Sequence, residues 1–216
     1  MKPFAVAILL SGSGSNMQAL LDAQHSGTLG AVVALAVSDR ADAYGLQRAL
    51  GQQIPCAFVP LPRVPPSERA AARQAWEQRL LAVIGAYQPD LIVSSGFMRI
   101  LSADFLAACG APVINQHPAL LPDGGGDSVT SADGTAIPAL RGAHVVPDAL
   151  AQGLPITGCT VHVVTPLVDD GPVLARAEVP ILPDDDVVSL HERIKVAERR
   201  LIVEVVKRFA ARGTPC

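Results

Sequence analysis

Asn115-Gln116-His117-Pro118 closes the apolar run Ala111 to Ile114, and an aspartate, Asp169, stands well downstream. An asparagine supplies an amide donor that never titrates, a histidine carries a proton near neutral pH, and an aspartate can orient that histidine and stabilise its charge. Those are the parts needed to move an acyl group onto an amine. The plainer alternative is that Asn115 and His117 merely end a strand, with His117 a partly buried, hydrogen-bonded imidazole. The run before the motif would deliver both side chains to the carboxyl end of a buried strand, where open α/β sheets bind ligands.

A second chemical signal lies near the N-terminus. Ser11-Gly12-Ser13-Gly14-Ser15-Asn16 follows the apolar run Phe4 to Leu10 and precedes a helical pattern through Met17, Leu20 and Leu21. Small residues there let an anion approach backbone N–H groups at a helix start, which suits a phosphorylated ligand. A dinucleotide fingerprint would want a third glycine where this chain has Met17, and an acidic residue after the second strand, for which Asp39 qualifies only loosely. A tight strand-to-helix turn without any ligand is the structural alternative. A third segment, Gly96-Phe97-Met98-Arg99, also follows an apolar run. A doubly wound sheet would gather all three strand ends at one edge.

The elements that must position these residues alternate. Strands are expected at Phe4 to Leu10, Ala31 to Val37, Cys56 to Val59, Leu91 to Ser95 and Pro112 to Ile114. Helices fall between them: one after Ser15, a short one over Ala43 to Leu50, a long one from Ser67 to about Tyr87 with Ala71, Ala75, Leu80, Val83 and Ile84 inward, and a short one from Ser102. Asp123 to Pro138 is rich in Gly, Asp, Ser and Thr and almost free of large apolar residues, so a mobile loop over about 123–140 is expected. A short helix near Asp148 to Gln152, a strand Thr157 to Thr165 and an antiparallel edge strand Val173 to Ile181 follow. Val187, Leu190, Ile194, Leu201, Val205 and Phe209 then mark one side of a long C-terminal helix from Asp186 to Arg212. The fold class is α/β: a single doubly wound, mostly parallel sheet with helices on both faces, an antiparallel edge strand and a long C-terminal helix.

With 216 residues the chain is long enough for one substantial core, so a single domain over 1–216 is expected. No apolar run reaches membrane-spanning length, and Met1-Lys2-Pro3 passes straight into a strand-like segment without a signal-peptide pattern, which points to the cytoplasm. Cys56, Cys109, Cys159 and Cys216 lack the paired spacings of zinc or redox motifs and read as reduced thiols. A net charge of -3, with no basic patch interleaved with aromatics, argues against nucleic acid as a partner and favours a small-molecule substrate.

Five stretches together resemble the phosphoribosylglycinamide formyltransferases of the folate-dependent formyltransferase family. They are Leu10 to Asn16, Ser95 to Leu101, Asn115 to Pro122, Thr160-Val161-His162 with Val168 to Pro172, and Ile194 to Glu198. The resemblance covers almost the whole chain. It implies transfer of a formyl group from 10-formyltetrahydrofolate to the amine of 5-phosphoribosylglycinamide, with no metal and no nucleic-acid or membrane partner, in a monomer or homodimer. By similarity Asn115, His117 and Asp169 are catalytic. Gly12, Gly14, Ser15, Asn16, Gly96, Lys195 and Glu198 bind the ribonucleotide, while Arg73, Met98, Arg99, Ile100, Leu101 and Val164 meet the folate. Each role has a rival: Lys195 and Glu198 at i,i+3 also fit a surface ion pair, Phe97 and Met98 fit a core, Arg73 fits a solvated helix face, and His162 fits strand structure.

Three departures from the family stand out. Gln116 replaces an apolar residue or Thr, the segment 123–140 is longer than usual and directly follows the catalytic strand, and Asp170 replaces a common Gly. Asp169 is chosen over Asp170 by its spacing from His162 and Pro172. A methionyl-tRNA formyltransferase or a formyltetrahydrofolate hydrolase would share the Asn/His/Asp set but add a further domain. A nicotinamide-linked oxidoreductase, or a nucleotide-binding module without catalysis, would use the glycine-rich turn alone.

Overall fold

A computed structural model describes residues 2–213. Cys216, expected as a reduced thiol, lies outside the described residues. A seven-stranded, mostly parallel sheet and a separate two-stranded one carry the fold. The described residues divide into two compact units, 2–113 with 207–213, and 114–206.

In the first unit, β1 (Phe4–Leu10), β2 (Ala31–Ser38), β3 (Cys56–Phe58) and β4 (Leu91–Ser94) pair in parallel, with α1 (Ser15–His25), α2 (Tyr44–Gly51) and α3 (Arg69–Gly85) between them and α4 (Ala103–Ala108) after β4. Val6 to Leu10 are fully buried, as near-continuous apolar runs in a covered parallel sheet should be. From β1 the sheet grows to β2 on one side and to β4 on the other. That reversal is the topological switch point at which such sheets bind ligands. The expected inward stripe of α3 is corrected: Ala71 and Ala75 are exposed, and Trp76, Glu77, Leu80 and Ile84 are buried. Trp76 decides the rotation, because its large ring is fully buried with Nε1 donating to Val59 O at 2.9 Å, satisfying its one polar atom.

In the second unit, β5 (Val113–His117) pairs antiparallel with β8 (Ile156–Val163), which pairs antiparallel with β9 (Val173–Pro180); α5 (Val145–Ala151) precedes β8. The antiparallel part thus begins one strand earlier than the expected single edge. β5 also extends three residues past Ile114, so that Asn115, Gln116 and His117 are strand residues. β8 supplies the partner backbone that carries this polar extension, opposing Asn115 to His162 and His117 to Thr160. α6 (Val187–Arg212) buries Leu190, Ile194, Glu198, Leu201, Ile202, Val205 and Val206, while Val187 is exposed.

The expected mobile loop is corrected as well. Within it β6 (Ser128–Thr130) and β7 (Ala136–Pro138) form an antiparallel hairpin. Its only large apolar residues in the two strands, Val129 and Ile137, face each other across the pair and are both buried. The turn is closed by Ser131 N donating to Thr135 O, while Asp133 Oδ1 accepts from Ser131 Oγ at 2.6 Å and Thr135 N at 3.0 Å, which holds its carboxyl down at about 2. Ala132 N donates to Glu178 Oε1 and Val173 N to Asp123 Oδ1, fastening the hairpin to the β9 segment.

Candidate active site

Strand alternation builds the centre of the second unit. Asn115 and His117, two residues apart on β5, project from one face, and Gln116 from the other. Opposite Asn115, His162 brings its Nε2 within 3.2 Å of Asn115 Nδ2, while its Nδ1 lies 3.0 Å from Val163 O. A carbonyl accepts, so Nδ1 carries a proton. Asp169 completes the group, with Oδ2 3.4 Å from His117 Nδ1 and Oδ1 3.6 Å from His162 Nε2. Thus the structure brings Asn115, His117 and Asp169 into one group, in which His162 also stands.

Asp169 sits at φ 51, a left-handed conformation uncommon outside glycine but tolerated by aspartate. The backbone after it is fixed by Gly171, where any Cβ would lie 1.8 Å from Val163 O, and by Val163 N donating to Pro172 O. Burial pushes the Asp169 carboxyl up, but contact with His162, the nearby His117 and the Gly142 N–H donated to Oδ2 at 2.9 Å outweigh it, leaving it below the usual carboxylate range.

His117 is only 3% exposed, and burial lowers its pKa. Asp169 and the Leu140 carbonyl, 2.7 Å from Nε2, oppose that shift without cancelling it, and His162 and Arg141 add to it. Two acceptors flanking one ring would both be satisfied only by the imidazolium. Burial and these two partners thus pull the ring in opposite directions, with burial the larger. Beyond His117 the chain is locked by Thr160, whose Oγ1 donates to Ala119 O at 2.8 Å and accepts from Leu121 N at 3.0 Å.

On the opposite face of β5, Gln116 is buried and its Nε2 donates to Glu198 O at 3.0 Å. This departure from the family is therefore a strand-to-helix tie. Lys195 pairs with Glu192 at 2.8 Å, one turn before Glu198. Glu198 is buried. Val164 is half-buried, and Leu167 and Val168, in the loop leading to Asp169, are exposed.

The first unit carries the other predicted residues. Gly14, at φ 68 and with Gly45 Cα only 2.6 Å from where its Cβ would be, starts α1, and among the described residues no side chain caps it. Backbone N–H groups of the first turn, at Ser15 and Asn16, are thus left for an anion. Among the described residues Asn16 Oδ1, which is buried, finds no hydrogen-bond partner. Since the amide's O and N are exchangeable by a flip, Asn16 is a side chain awaiting a polar contact. Arg48, which sequence reasoning missed, donates from Nε to Ser13 O at 2.9 Å and lies over the Tyr44 ring, adding positive charge to the turn. Only its place on α2, far from the turn in sequence, concealed it. Gly96 joins the turn at the switch point, its carbonyl accepting from Ser11 N at 3.0 Å.

Asp39 is fully engaged: Oδ1 accepts from Ser11 Oγ at 2.5 Å and Oδ2 from Arg99 Nε at 2.7 Å. With both oxygens used it offers no carboxylate to a dinucleotide ribose, which counts against the nicotinamide reading. Among the residues expected to meet folate, Met98 and Ile100 are exposed, whereas Leu101 is buried and Arg99 is held by Asp39. Arg73 donates to Ile100 O and lies 3.7 Å from Glu77, which in turn accepts from Ser102 N and Oγ. Arg73 therefore braces the 98–102 segment. Among the described residues there is no metal-binding cluster of His, Cys, Asp or Glu, and no helix is long and apolar enough to cross a membrane.

A strand-borne Asn and His beside a carboxylate, on a doubly wound sheet with a glycine-rich turn at the switch point, define a formyl transferase domain, and the chain belongs to that family: its family model matches residues 4–206. More narrowly, the chain is 41% identical to the phosphoribosylglycinamide formyltransferase of Mycobacterium tuberculosis, over 98% of this chain and 87% of that protein. It is 33% identical to the enzyme of the same name from Escherichia coli K12, over 95% of this chain and 86% of that one. The crystal structure of phosphoribosylglycinamide formyltransferase from Brucella melitensis matches with a TM-score of 0.80 at 34% identity, covering 100% of this chain and 99% of that one.

Proposed function

We propose that this chain transfers the formyl group of 10-formyltetrahydrofolate to the amine of 5-phosphoribosylglycinamide, giving formylglycinamide ribonucleotide and tetrahydrofolate in purine biosynthesis. The observation that carries this reading is the Asn115, His117 and Asp169 constellation, supported by relatives of that name at up to 41% identity. The chain acts as one formyltransferase domain, in the cytoplasm, as a monomer or homodimer.

The amine attacks the formyl carbon, the C–N bond forms, and negative charge grows on the formyl oxygen. Asn115 donates an amide N–H to that oxygen, and His117 donates from its ring. Negative charge on that oxygen, beside Asp169, opposes the lowering of the His117 pKa by burial and favours the imidazolium, its proton taken from solvent. When the oxyanion collapses, the bond from the formyl carbon to the folate nitrogen breaks. Asp169, ionised throughout, stabilises the imidazolium and orders a water that takes a proton from the attacking nitrogen to the departing folate nitrogen. For Nε2 to serve the oxyanion, it must release the Leu140 carbonyl.

Gly12, Gly14, Ser15, Asn16, Gly96, Lys195 and Glu198 bind the ribonucleotide, with Gly14, Ser15 and Asn16 at its phosphate and Glu198 at its ribose. The folate is received by Met98, Arg99, Ile100, Leu101, Val164 and the loop Thr165 to Asp169, with Arg73 bracing Ile100. Tetrahydrofolate release, followed by absorbance, tests the whole reading. Release that depends on glycinamide ribonucleotide supports it, and release in its absence would make the protein a hydrolase instead.

A further inference from the structure

Leu140, Arg141 and Gly142 end the hairpin segment, and each of these three consecutive residues touches the reacting group. Leu140 O meets His117 Nε2 at 2.7 Å, Gly142 N donates to Asp169 Oδ2 at 2.9 Å, and Arg141 Nε donates to Asp169 O at 3.3 Å. The same guanidinium reaches further, with Nη2 2.7 Å from Gly126 O and 3.4 Å from Asp170 Oδ1. At Gly125, next in the chain, an added Cβ would lie 3.3 Å from Asp170 Oδ1. The long segment after the catalytic strand, Arg141 and the second carboxylate are thus parts of one clamp.

We infer that Arg141 is a positioning residue: its guanidinium fixes the Asp169–Asp170 turn against both ends of the hairpin segment and so sets where Asp169 stands relative to His117. This rests on the reading of His117 and Asp169 as reacting groups. The left-handed backbone of Asp169 is a state that surrounding contacts must hold. A planar fork meets the Asp169 carbonyl, the Gly126 carbonyl and the Asp170 carboxylate at once, which a lysine ammonium on a flexible stem cannot do. Arg141 also supplies charge. The ionisable groups around His117 are Asp169, His162 and Arg141, the last paired with Asp170, and the Arg141 cation is among those that disfavour the imidazolium.

The test compares Arg141→Ala, Arg141→Lys and His117→Ala by steady-state kinetics, thermal midpoint and an NMR titration of the His117 imidazole. Arg141→Ala should lower kcat about tenfold or more, as expected of a misplaced reacting group, with KM for both substrates little changed. Its His117 pKa should rise, because a neighbouring cation is gone. Arg141→Lys should keep the His117 pKa near wild type and recover only part of kcat. A wild-type kcat with an unmoved His117 pKa in Arg141→Ala overturns the inference, whatever happens to the thermal midpoint. Should Arg141→Ala fail to fold, Arg141→Lys decides: wild-type kcat there overturns it, and reduced kcat at an unchanged His117 pKa supports it. Full turnover in His117→Ala overturns the underlying reading instead, and the inference with it.

Discussion

The glycine-rich turn of the first unit and the Asn–His–Asp centre of the second are built by opposite means. The turn is local and made of backbone: Gly14 at positive φ, the open N–H groups of α1, and the Gly96 carbonyl at the neighbouring strand end. The centre is non-local and made of side chains, drawn from β5, β8, the 140–142 segment and the turn at Asp169. A backbone cradle tolerates side-chain change so long as no bulk or negative charge enters it. A side-chain centre depends on each member and on whatever holds that member in place.

The largest effect that would sharpen this contrast is expected at the centre. His117→Ala and Asp169→Asn should each lower kcat by at least about two orders of magnitude with modest change in KM, since a positioned proton carrier contributes roughly 10²–10⁴. Asparagine also tolerates the left-handed backbone of position 169, so a loss there reports charge and not misfolding. Near-wild-type turnover in either folded variant would sink the mechanism.

At the cradle, Ser15→Asp should raise KM for glycinamide ribonucleotide by about tenfold or more and leave KM for the folate nearly unchanged, because a carboxylate now occupies the anion's place. Equal effects on both substrates would erase the distinction between the two regions. Stability adds a pH signature to the centre alone. His117 has a folded pKa below its ordinary 6.5, so below that pH the unfolded chain binds more protons and stability falls with pH until the folded pKa is passed. The thermal midpoint should therefore drop on acidification through this window, and less so in His117→Ala; an unchanged slope in that variant would contradict the assignment.

Smaller effects are expected at supports away from the chemistry. Gln116→Leu loses one buried hydrogen bond to the Glu198 carbonyl, so denaturant unfolding should show a loss of about 1 kcal/mol with kcat within twofold. Replacing Ser128 to Pro138 by a short Gly/Ser connection, with Leu140 to Gly142 kept, should lower the thermal midpoint by exposing what Val129 and Ile137 cover, and change kcat less than Arg141→Ala does. A larger kinetic loss from the tip than from Arg141 would reverse that ranking.

Local features were legible in the sequence and distant pairings were not. The parallel strands announced themselves as apolar runs, the turn as glycine between strand and helix, and Asn115 and His117 as polar residues ending such a run. The extension of β5 to His117 could not be read there, because its partner β8 lies some forty residues on and Asn–Gln–His has no strand-like composition. His162 carried a usable clue, its place in the alternation of β8. The hairpin was hidden because composition suggests disorder, while its order comes from one apolar cross-strand pair and an aspartate-closed turn. Arg141 left no pattern, since its partners are two carbonyls and a carboxylate gathered only by folding.

The hairpin's tip and its ends also answer to different constraints over evolutionary time. Its turn, Ser131 to Thr135, closes on itself and faces solvent in part, whereas Leu140 to Gly142 reach His117 and Asp169. Lengthening, trimming or a tag placed at the turn alters neither the register of those three residues nor their contacts. The segment can thus drift in length among descendants of this chain while its last residues stay fixed, and the tip is the natural place to graft a label or a peptide.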